Sequence, residues 1–452
     1  MSNPGEEDAT PIESVRQLAS LLAAGGKPAA AWRIGTEHEK FGFVRPGGAA
    51  TAFSPPPYEP GGIRAMLEGI AALRWDEIRD QGNLIGLKRG GESVSLEPGG
   101  QFELSGAPLA SLHDTKAEFD RHFADVRTVG EPLGLGFAPL GFHPTATRAD
   151  MPFMPKSRYA IMRRYMPTVG RLGLDMMLRT CTVQVNLDFA DEADMRRKLR
   201  VGLLLQPVAT ALFANSPFTE GKPNGFLSAR ANVWTDTDPD RTGVPPVMLE
   251  DGFGFERYVE WALDVPMYFI ARHGTLIDVA GASFRDYMSG RVPALAGVTP
   301  TVSDFADHIT TTFPEVRLKT FLEMRGADAG RPDMMLAQSA LWVGLLYDAA
   351  ALEAAVRLCA HHDWRDLAGL RAMVPRQGLG APFAGGTVRD LARDVLAIAA
   401  DGLAARGLGE RVYLAPLDEI AAGGPTQAEH WLARYAGAWD GDVTQIFGEA
   451  AI

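Results

Sequence analysis

The stretch from Arg33 to Phe43, RIGTEHEKFGF, carries Glu37 and Glu39 two residues apart in a half-apolar run. On a helix this spacing separates the two carboxylates. On a β-strand it places them on one face, because side chains alternate with period two. Like charges on one face repel each other and make ionisation more costly. A strand that keeps both glutamates on one face therefore calls for a cation beside them.

Three further segments alternate in the same way, at residues 92–106, 178–189 and 318–328. Each separates an apolar from a polar face when it is taken as a strand, and the polar members are Glu97, Glu103, Gln184, Asn186, Glu323 and Arg325. A sheet with one solvated face would also alternate like this. Glutamate is a poor strand former, however, and these faces contain little of the Lys and Thr that usually cover exposed strands. Because like charges on a sheet are destabilising without a positive partner, the pattern favours convergence at one site.

Magnesium is the cation that these side chains favour. Mg²⁺ takes oxygen ligands and usually shares them with water and phosphate, so carboxylates on neighbouring strands would hold two or three ions together with a nucleotide. The candidate metal ligands are Glu37, Glu39, Glu97, Glu103 and Glu323. Zinc is less favoured, because the histidines are scattered and no HExxH or CxxC motif occurs. His38 falls on the opposite parity and is predicted to lie in the core.

Familiar nucleotide-binding signatures are absent from the sequence. It contains no G-x-x-x-x-G-K-[ST] motif, and GLGFAP at 134–139 does not fit a dinucleotide-binding fingerprint. If the protein uses ATP, metal-bridged phosphates on a sheet are the predicted mode of binding.

The strands and helices predicted along the sequence do not alternate regularly. Their order therefore predicts an α+β fold with an antiparallel sheet. Residues 1–330 are predicted to form a catalytic sheet domain with flanking helices, and residues 331–452 an all-helical region packed on the same core. A helix is predicted behind Asp191, with a kink at Pro207. Residues 216–243 lack periodicity and are predicted to be a long functional loop.

Composition narrows the classes of function. The chain has 452 residues, of which 46% are hydrophobic, and its net charge of −12 argues against binding to nucleic acid or anionic membranes. No apolar run approaches the ~20 residues of a membrane span. Cys181 and Cys359 are the two cysteines, far apart in sequence, so neither a disulfide nor thiol regulation is expected. The acidic N-terminus does not resemble a signal or transit peptide, so a cytoplasmic monomer or weak homodimer is expected.

Several segments together resemble the glutamate–cysteine ligases of the plant and proteobacterial type. They are GTEHEKFGF, SLEPGGQFELSG, MLRTCTVQVNLDF, ANSPFTEGKPNGFLSARANVWTDTDPDRTG, LDVPMYF and FLEMRGAD, which occur in this order between about residues 30 and 330. The resemblance implies that ATP phosphorylates the γ-carboxylate of L-glutamate and that the amine of L-cysteine then attacks. The product would be γ-glutamylcysteine, in the first step of glutathione biosynthesis. The implied catalytic core is a curved, funnel-like antiparallel sheet similar to that of glutamine synthetase, with Mg²⁺ between the glutamates and the ATP phosphates.

The resemblance also implies roles for individual residues. Arg325 is expected to contact the transferred phosphoryl group beside Glu323, although it could also be a structural partner of that glutamate. Gln184 is expected to add a metal ligand, because other branches of the superfamily carry His at this strand position. Bidentate arginines suit the carboxylates of the amino-acid substrates. The candidates for substrate binding are Arg179, Arg230, Arg241, Asn186 and Trp234, and Lys222 is a further candidate for phosphate.

Two alternatives remain open at this level. One is a sister ligase that joins glutamate to a different amine, because acceptor selectivity depends on a few contacts. The other is a catalytically silent homologue that binds a metal or an amino acid. The complete set of glutamates together with Arg325 argues against the silent homologue. Plant members use additional cysteines for a redox switch, and this sequence has only the two named above.

Overall fold

The computed structural model describes residues 9–47 and 52–452. Most of the acidic N-terminal stretch, for which no targeting segment is expected, lies outside these residues. The β-strands are β1 Ile34–Val44, β2 Asp76–Asp80, β3 Asn83–Arg89, β4 Glu92–Leu96, β5 Phe102–Ser105, β6 Leu135–Ala138, β7 Thr182–Leu187, β8 Phe218–Thr219, β9 Lys222–Pro223, β10 Thr242–Gly243, β11 Phe269–Arg272, β12 Thr275–Asp278, β13 Phe313–Pro314, β14 Val316–Leu318, β15 Leu322–Asp328, β16 Pro382–Phe383 and β17 Gly386–Thr387. The α-helices are α1 Val15–Ala23, α2 Ile63–Ala71, α3 Leu112–Gly130, α4 Ser157–Val169, α5 Gly173–Arg179, α6 Glu192–Leu212, α7 Ala229–Val233, α8 Phe255–Asp264, α9 Phe284–Met288, α10 Val302–Ile309, α11 Pro332–Leu346, α12 Ala349–Ala360, α13 Trp364–Gly369, α14 Val374–Gln377, α15 Val388–Ala405, α16 Ala415–Ala421, α17 Gln427–Ala436 and α18 Ile446–Glu449.

A nine-stranded sheet organises the fold, in the order β14-β15-β7-β1-β5-β4-β3-β2 with β6 paired to β1. Every pair in it is antiparallel. β1 is central because it is long enough to pair with β5 over residues 37–40 and with β6 over residues 41–44. The predicted α+β class with an antiparallel sheet is confirmed.

One apolar core joins the sheet to the helices behind it. The apolar face of β7 packs in the same cluster as α6, α11 and α15. The C-terminal region beyond the sheet is helical as predicted, apart from the short hairpin of β16 and β17. Because that region shares the core of the sheet, the domain boundary at residue 330 stays a prediction. Cys181 and Cys359 are buried free thiols.

Local signals explain several of these elements. Asp191 caps α6, since its side chain accepts a hydrogen bond of 2.9 Å from the backbone N–H of Asp194. Pro207 lies inside that helix, and the predicted kink stays a prediction. Residues 216–243 are not one long loop, because they fold into β8, β9, α7 and β10. Among the described residues no single helix could cross a membrane; only the sharply bent pair α11 and α12 meets the length and composition criteria when the two are combined.

Candidate active site

The register of the sheet brings the predicted polar side chains onto one face. Glu37 lies opposite Gln184 of β7 and Ser105 of β5, and Glu39 lies opposite Glu103. Directly opposed residues of an antiparallel pair point to the same side of the sheet. In the same way Glu323 of β15 lies opposite Asn186 of β7. The segments that are separate in the sequence therefore form one continuous surface, called here the carboxylate face.

The side chains of β7 on the other side of the sheet are apolar. Val183 and Val185 of β7 are fully buried in the core. His38 points the same way, as its parity predicts, and its ring lies 4.5 Å from the ring of Phe119. Burial lowers the pKa of His38 well below its ordinary value. This histidine is therefore a neutral core residue and does not reach the carboxylate face.

Three glutamates on the carboxylate face are buried where ionisation is unfavourable. Burial raises the pKa of Glu37, Glu39 and Glu97, and neighbouring carboxylates add to the effect at Glu37 and Glu39. Glu39 accepts a hydrogen bond of 2.8 Å from the backbone N–H of Thr182. Glu103 accepts one of 2.8 Å from the hydroxyl of Ser95. The repulsion inferred from the sequence is thus present in the fold.

Glu323 has different surroundings, because cations enclose it. Arg317 donates to both of its oxygens, at 2.6 and 3.0 Å, and Arg325 donates to one of them at 2.9 Å. The ammonium of Lys319 lies 3.6 Å away. Burial alone would raise the pKa of Glu323, but Arg317, Lys319 and Arg325 together hold it well below its ordinary value. Glu323 therefore remains ionised and fixes the positions of two guanidinium groups.

Arg317 is a residue that sequence reasoning missed. It lies directly opposite Glu323 in the β14–β15 hairpin and is fully buried. The sequence does contain a signal for it, because Arg317 stands between the apolar residues Val316 and Leu318 just before FLEMRGAD. Arg325, which was predicted, also donates to the side-chain oxygen of Gln184 and so links β15 to β7.

A cleft of about 570 Å³, including its open mouth, lies over the carboxylate face. Glu39 and Glu97 line it together with Arg230, Arg317 and Arg325. Acidic and basic groups thus share a single opening. A cleft of this kind can hold metal ions and phosphates as well as the carboxylate of an amino acid.

Some polar atoms around the cleft have no hydrogen-bond partner among the described residues. They are Nε of Arg230, Nε1 of Trp234 and Oδ1 of Asn186. The other groups of two of these side chains are engaged, since Arg230 donates to the carbonyl of Arg325 at 2.9 Å and Asn186 donates to Glu37 at 2.8 Å. Buried polar atoms in native proteins are normally paired, so these three atoms are available for a hydrogen bond to a ligand.

Three predicted binding residues do not reach the cleft. Arg179 is the last residue of α5, and it donates a hydrogen bond of 2.8 Å to Asp175 and one of 2.9 Å to Glu220. Arg241 is fully buried and bonded to Asp238 at 2.6 Å and to two backbone carbonyls. Lys222 is exposed in the β8–β9 hairpin. The guanidinium groups of Arg179 and Arg241 serve the fold, because their donors are already used within the protein.

The predicted magnesium site fits part of the proposed ligand set. Among the described residues, no group of three or more His, Cys, Asp or Glu side chains is arranged to hold a metal by itself. Mg²⁺ commonly takes only one or two carboxylates and completes its shell with water and phosphate. Glu39 and Glu103 supply such oxygens from directly opposed positions of β1 and β5, and Glu97, one residue beyond β4, lines the same cleft as Glu39.

Two of the predicted metal ligands do not fit. Both oxygens of Glu323 are bonded to arginines, so this residue is better assigned to holding those arginines. The side chain of Gln184 is used in a similar way, because its oxygen accepts from Arg325 and its nitrogen donates to Glu37 at 3.3 Å.

Comparison with known proteins places these features in context. The model of the family described as glutamate-cysteine ligase family 2 (GCS2) matches residues 33–449, which includes the C-terminal helices. The chain is 51% identical to the chloroplastic glutamate–cysteine ligase of Medicago truncatula, over 99% of this chain and 88% of that protein. It is 52% identical to the chloroplastic enzyme of Arabidopsis thaliana, over 99% of this chain and 85% of that protein. The cytoplasmic location predicted from the sequence is wrong by this comparison, because these similar proteins are named as chloroplastic.

A solved structure supports the same fold. The glutamate–cysteine ligase of Francisella tularensis, crystallised in complex with AMP, superposes with a TM-score of 0.51 over 92% of this chain and 89% of that one. The two sequences are only 12% identical, so this match concerns the fold alone.

Proposed function

The chain belongs to glutamate–cysteine ligase family 2, and on that premise we propose that its cleft uses ATP and Mg²⁺ to join L-glutamate to L-cysteine. The γ-carboxylate of glutamate is activated as an acyl phosphate, and the cysteine amine displaces the phosphate to give γ-glutamylcysteine. The product belongs to the first step of glutathione biosynthesis.

The observation that carries this proposal is the pairing of carboxylates and guanidinium groups within one cleft. A carboxylate is a poor electrophile, so it needs a leaving group before an amine can attack. Phosphoryl transfer concentrates negative charge that must be met by cations held in place beforehand. Arg317 and Arg325 satisfy this requirement, because their hydrogen bonds to Glu323 fix both groups before any substrate arrives.

Glu39, Glu97 and Glu103 are the proposed magnesium ligands. Bound Mg²⁺ would neutralise these carboxylates and the phosphate oxygens and would draw electrons from the phosphorus. The raised pKa of Glu39 supports a site that is favourable for a cation, since the carboxylate is otherwise costly to ionise there. Both oxygens of Glu37 accept from amides, from Asn186 at 2.8 Å and from Gln184 at 3.3 Å, so we assign this residue to orienting those two side chains.

Arg230, Asn186 and Trp234 are the proposed contacts for glutamate. Each has an unused polar atom among the described residues, and Arg230 and Trp234 both line the cleft. The guanidinium group of Arg230 is held by the backbone carbonyl of Arg325, which places it beside the proposed phosphoryl contact. This arrangement would bring the carboxylates of glutamate next to the transferred phosphate.

A direct assay tests the proposal. The protein is mixed with ATP, Mg²⁺ and L-glutamate, and ADP release is followed with and without L-cysteine. Cysteine-dependent release with formation of γ-glutamylcysteine is the expected result. Release that depends only on another amine would assign the protein to a sister ligase, and no release with any amine would contradict the proposal.

A further inference from the structure

Asp328, the last residue of β15, points to the same side of the sheet as the carboxylate face. An odd spacing separates it from Glu323, so a regular strand would turn these two side chains to opposite sides. Glu323 lies opposite Asn186 and Asp328 lies opposite Thr182, and the register shifts between these two pairs. A bulge of this kind redirects the side chains beyond it. Because Thr182 and Asn186 share one side of β7, Asp328 shares that side as well.

The carboxylate of Asp328 is buried and accepts three hydrogen bonds. Its Oδ2 atom accepts from the backbone N–H of Asn215 at 2.9 Å and from the hydroxyl of Ser216 at 2.6 Å. Its Oδ1 atom accepts from the hydroxyl of Ser228 at 2.7 Å. Gly141 packs against the same carboxylate, and a larger side chain there would clash with it. Asp328 is 2% exposed and does not line the cleft, so its oxygens serve other groups of the protein.

Two of these groups, the serine hydroxyls, connect Asp328 with the short helix α7. Ser216 Oγ accepts from the backbone N–H of Arg230 at 3.2 Å. Ser228, the N-cap of α7, accepts from the backbone N–H of Ala231 at 3.1 Å. A hydroxyl has one proton, so a hydroxyl that donates to Asp328 has only lone pairs left for these N–H groups. An ionised carboxylate can only accept, and it therefore fixes the direction of both hydroxyls and with them the first turn of α7.

Arg230 is the residue of α7 that this arrangement holds in place. Its guanidinium group donates to the carbonyl of Arg325, within the bulge, at 2.9 Å, and its Nε atom has no hydrogen-bond partner among the described residues. Burial raises the pKa of Asp328, and the charge of Arg230 acts against that rise. The two groups thus lie within electrostatic reach of each other. Asp328 acts on Arg230 through the backbone of α7 and through its charge.

We propose that Asp328 is a positioning residue, which holds Arg230 in the orientation that binds a carboxylate of the glutamate substrate. This inference rests on the proposed function, because Arg230 is the glutamate contact of that reaction. Asp328 does not touch the substrate. It keeps the guanidinium group fixed before glutamate arrives, so that less conformational freedom is lost on binding. A carboxylate that served only the fold would affect stability and leave the KM for glutamate unchanged.

Steady-state kinetics of the intact protein test the inference, with Asp328→Asn as the main variant. This change keeps the size of the side chain and removes its charge and one acceptor. We expect the KM for glutamate to rise by about tenfold, because Arg230 is no longer held. The KM values for ATP and cysteine should change by less than about twofold.

The matched control is Asp188→Asn at the other end of β7. Asp188 is also a buried carboxylate, with 6% exposure, and it accepts a hydrogen bond of 2.7 Å from the backbone N–H of Arg33. It has no contact with α7 among the hydrogen bonds and ion pairs of its side chain, which join it to Arg33 and Lys27. This variant should lower the Tm and leave the KM for glutamate unchanged.

A double-mutant cycle tests the route through Arg230. If Asp328 acts on glutamate only through this arginine, Asp328→Asn should change the KM for glutamate by less than about twofold in an Arg230→Met background. A general effect on the fold would change that KM by the same factor in both backgrounds. Ser216→Ala is a milder variant, since it removes only the hydroxyl between Asp328 and the N–H of Arg230. It should raise the KM for glutamate by about threefold.

The outcomes distinguish the positioning role from the proposed function. If the wild type is active and Asp328→Asn keeps a KM for glutamate within about twofold of it, the positioning role is overturned and the ligase proposal stands. Equal effects of Asp328→Asn in the two backgrounds would overturn that role as well. If circular dichroism shows that Asp328→Asn does not fold, the KM of Ser216→Ala decides in the same way. A wild-type protein without glutamate-dependent release of ADP would overturn the proposed function, and the positioning role with it.

Discussion

Replacing Glu323 by Gln should destabilise the protein, because this carboxylate is the partner of buried cations. Arg317 and Arg325 donate to it at 2.6 to 3.0 Å, and Lys319 lies 3.6 Å away. Breaking a buried pair by removing one charge typically costs about 3–5 kcal/mol, since the remaining charge is left uncompensated. The amide NH₂ of glutamine would also point toward a guanidinium donor. We therefore expect a loss of stability in this range together with loss of turnover.

The length of the chain determines how far this loss of stability lowers the Tm. With an unfolding entropy of about 2.1 cal/mol/K per residue, 452 residues convert this loss to a decrease of roughly 3–5 °C in Tm. Thermal melts followed by circular dichroism measure it. The matched control is Glu353→Gln, because Glu353 pairs with Arg197 at 2.6 Å and their side chains are 50% and 43% exposed. An exposed pair contributes only about 0–1 kcal/mol, so its Tm should move by about 1 °C or less.

The Tm difference between wild type and Glu323→Gln should depend on pH in a definite direction. The pKa of Glu323 is held below its ordinary value of 4.5, so its contribution to stability is present above that pH. The contribution is lost only as the pH falls through the lowered pKa of the folded state. The Tm difference between wild type and Glu323→Gln should therefore be constant from neutral pH down to about 4.5 and shrink below it. Equal Tm values for the variant and its control at neutral pH would refute this account of Glu323.

Three further predictions concern the same site. Glu39→Gln should abolish turnover yet raise the Tm of the ligand-free protein above pH 4.5. The pKa of Glu39 is raised in the folded state, so its ionisation destabilises the fold increasingly as the pH rises above 4.5. An unchanged or lower Tm would contradict the electrostatic argument. Arg230→Met should raise the KM for glutamate by about tenfold, whereas Arg179→Met should change stability and not that KM; equal effects on KM would contradict the assignment. Cys181 and Cys359 should react with a thiol reagent only after unfolding, because both are buried and burial raises the pKa of each thiol; rapid labelling of the native protein would contradict their burial.

The side-chain parity of the strands could be predicted from the sequence, because period two is a property of the backbone. Glu37 and Glu39 of β1 share the carboxylate face for this reason. Pairing between strands that are distant in sequence could not be predicted. The choice of Arg317 as the partner of Glu323 depends on the register of a hairpin that the polar pattern alone does not reveal.

The burial of individual charged residues could not be predicted from the sequence either. The basic segment RYAIMRRYMP contains Arg158, Arg163 and Arg164, and only the packing of α4 decides which one is buried. The apolar run before Arg179 fits a helix or a strand, and it forms α5. Arg241 looked available in a turn-rich segment, yet the backbone carbonyls around it take up its donors.

Metal binding tests the central claim most directly. Mn²⁺ can replace Mg²⁺ and be followed by electron paramagnetic resonance in the presence of a non-hydrolysable ATP analogue. The account predicts that wild type and Glu353→Gln bind Mn²⁺ with the nucleotide, and that Glu97→Gln and Glu103→Gln each bind it about tenfold or more weakly while remaining folded. Equal Mn²⁺ affinity in all four proteins would contradict a metal site on the carboxylate face.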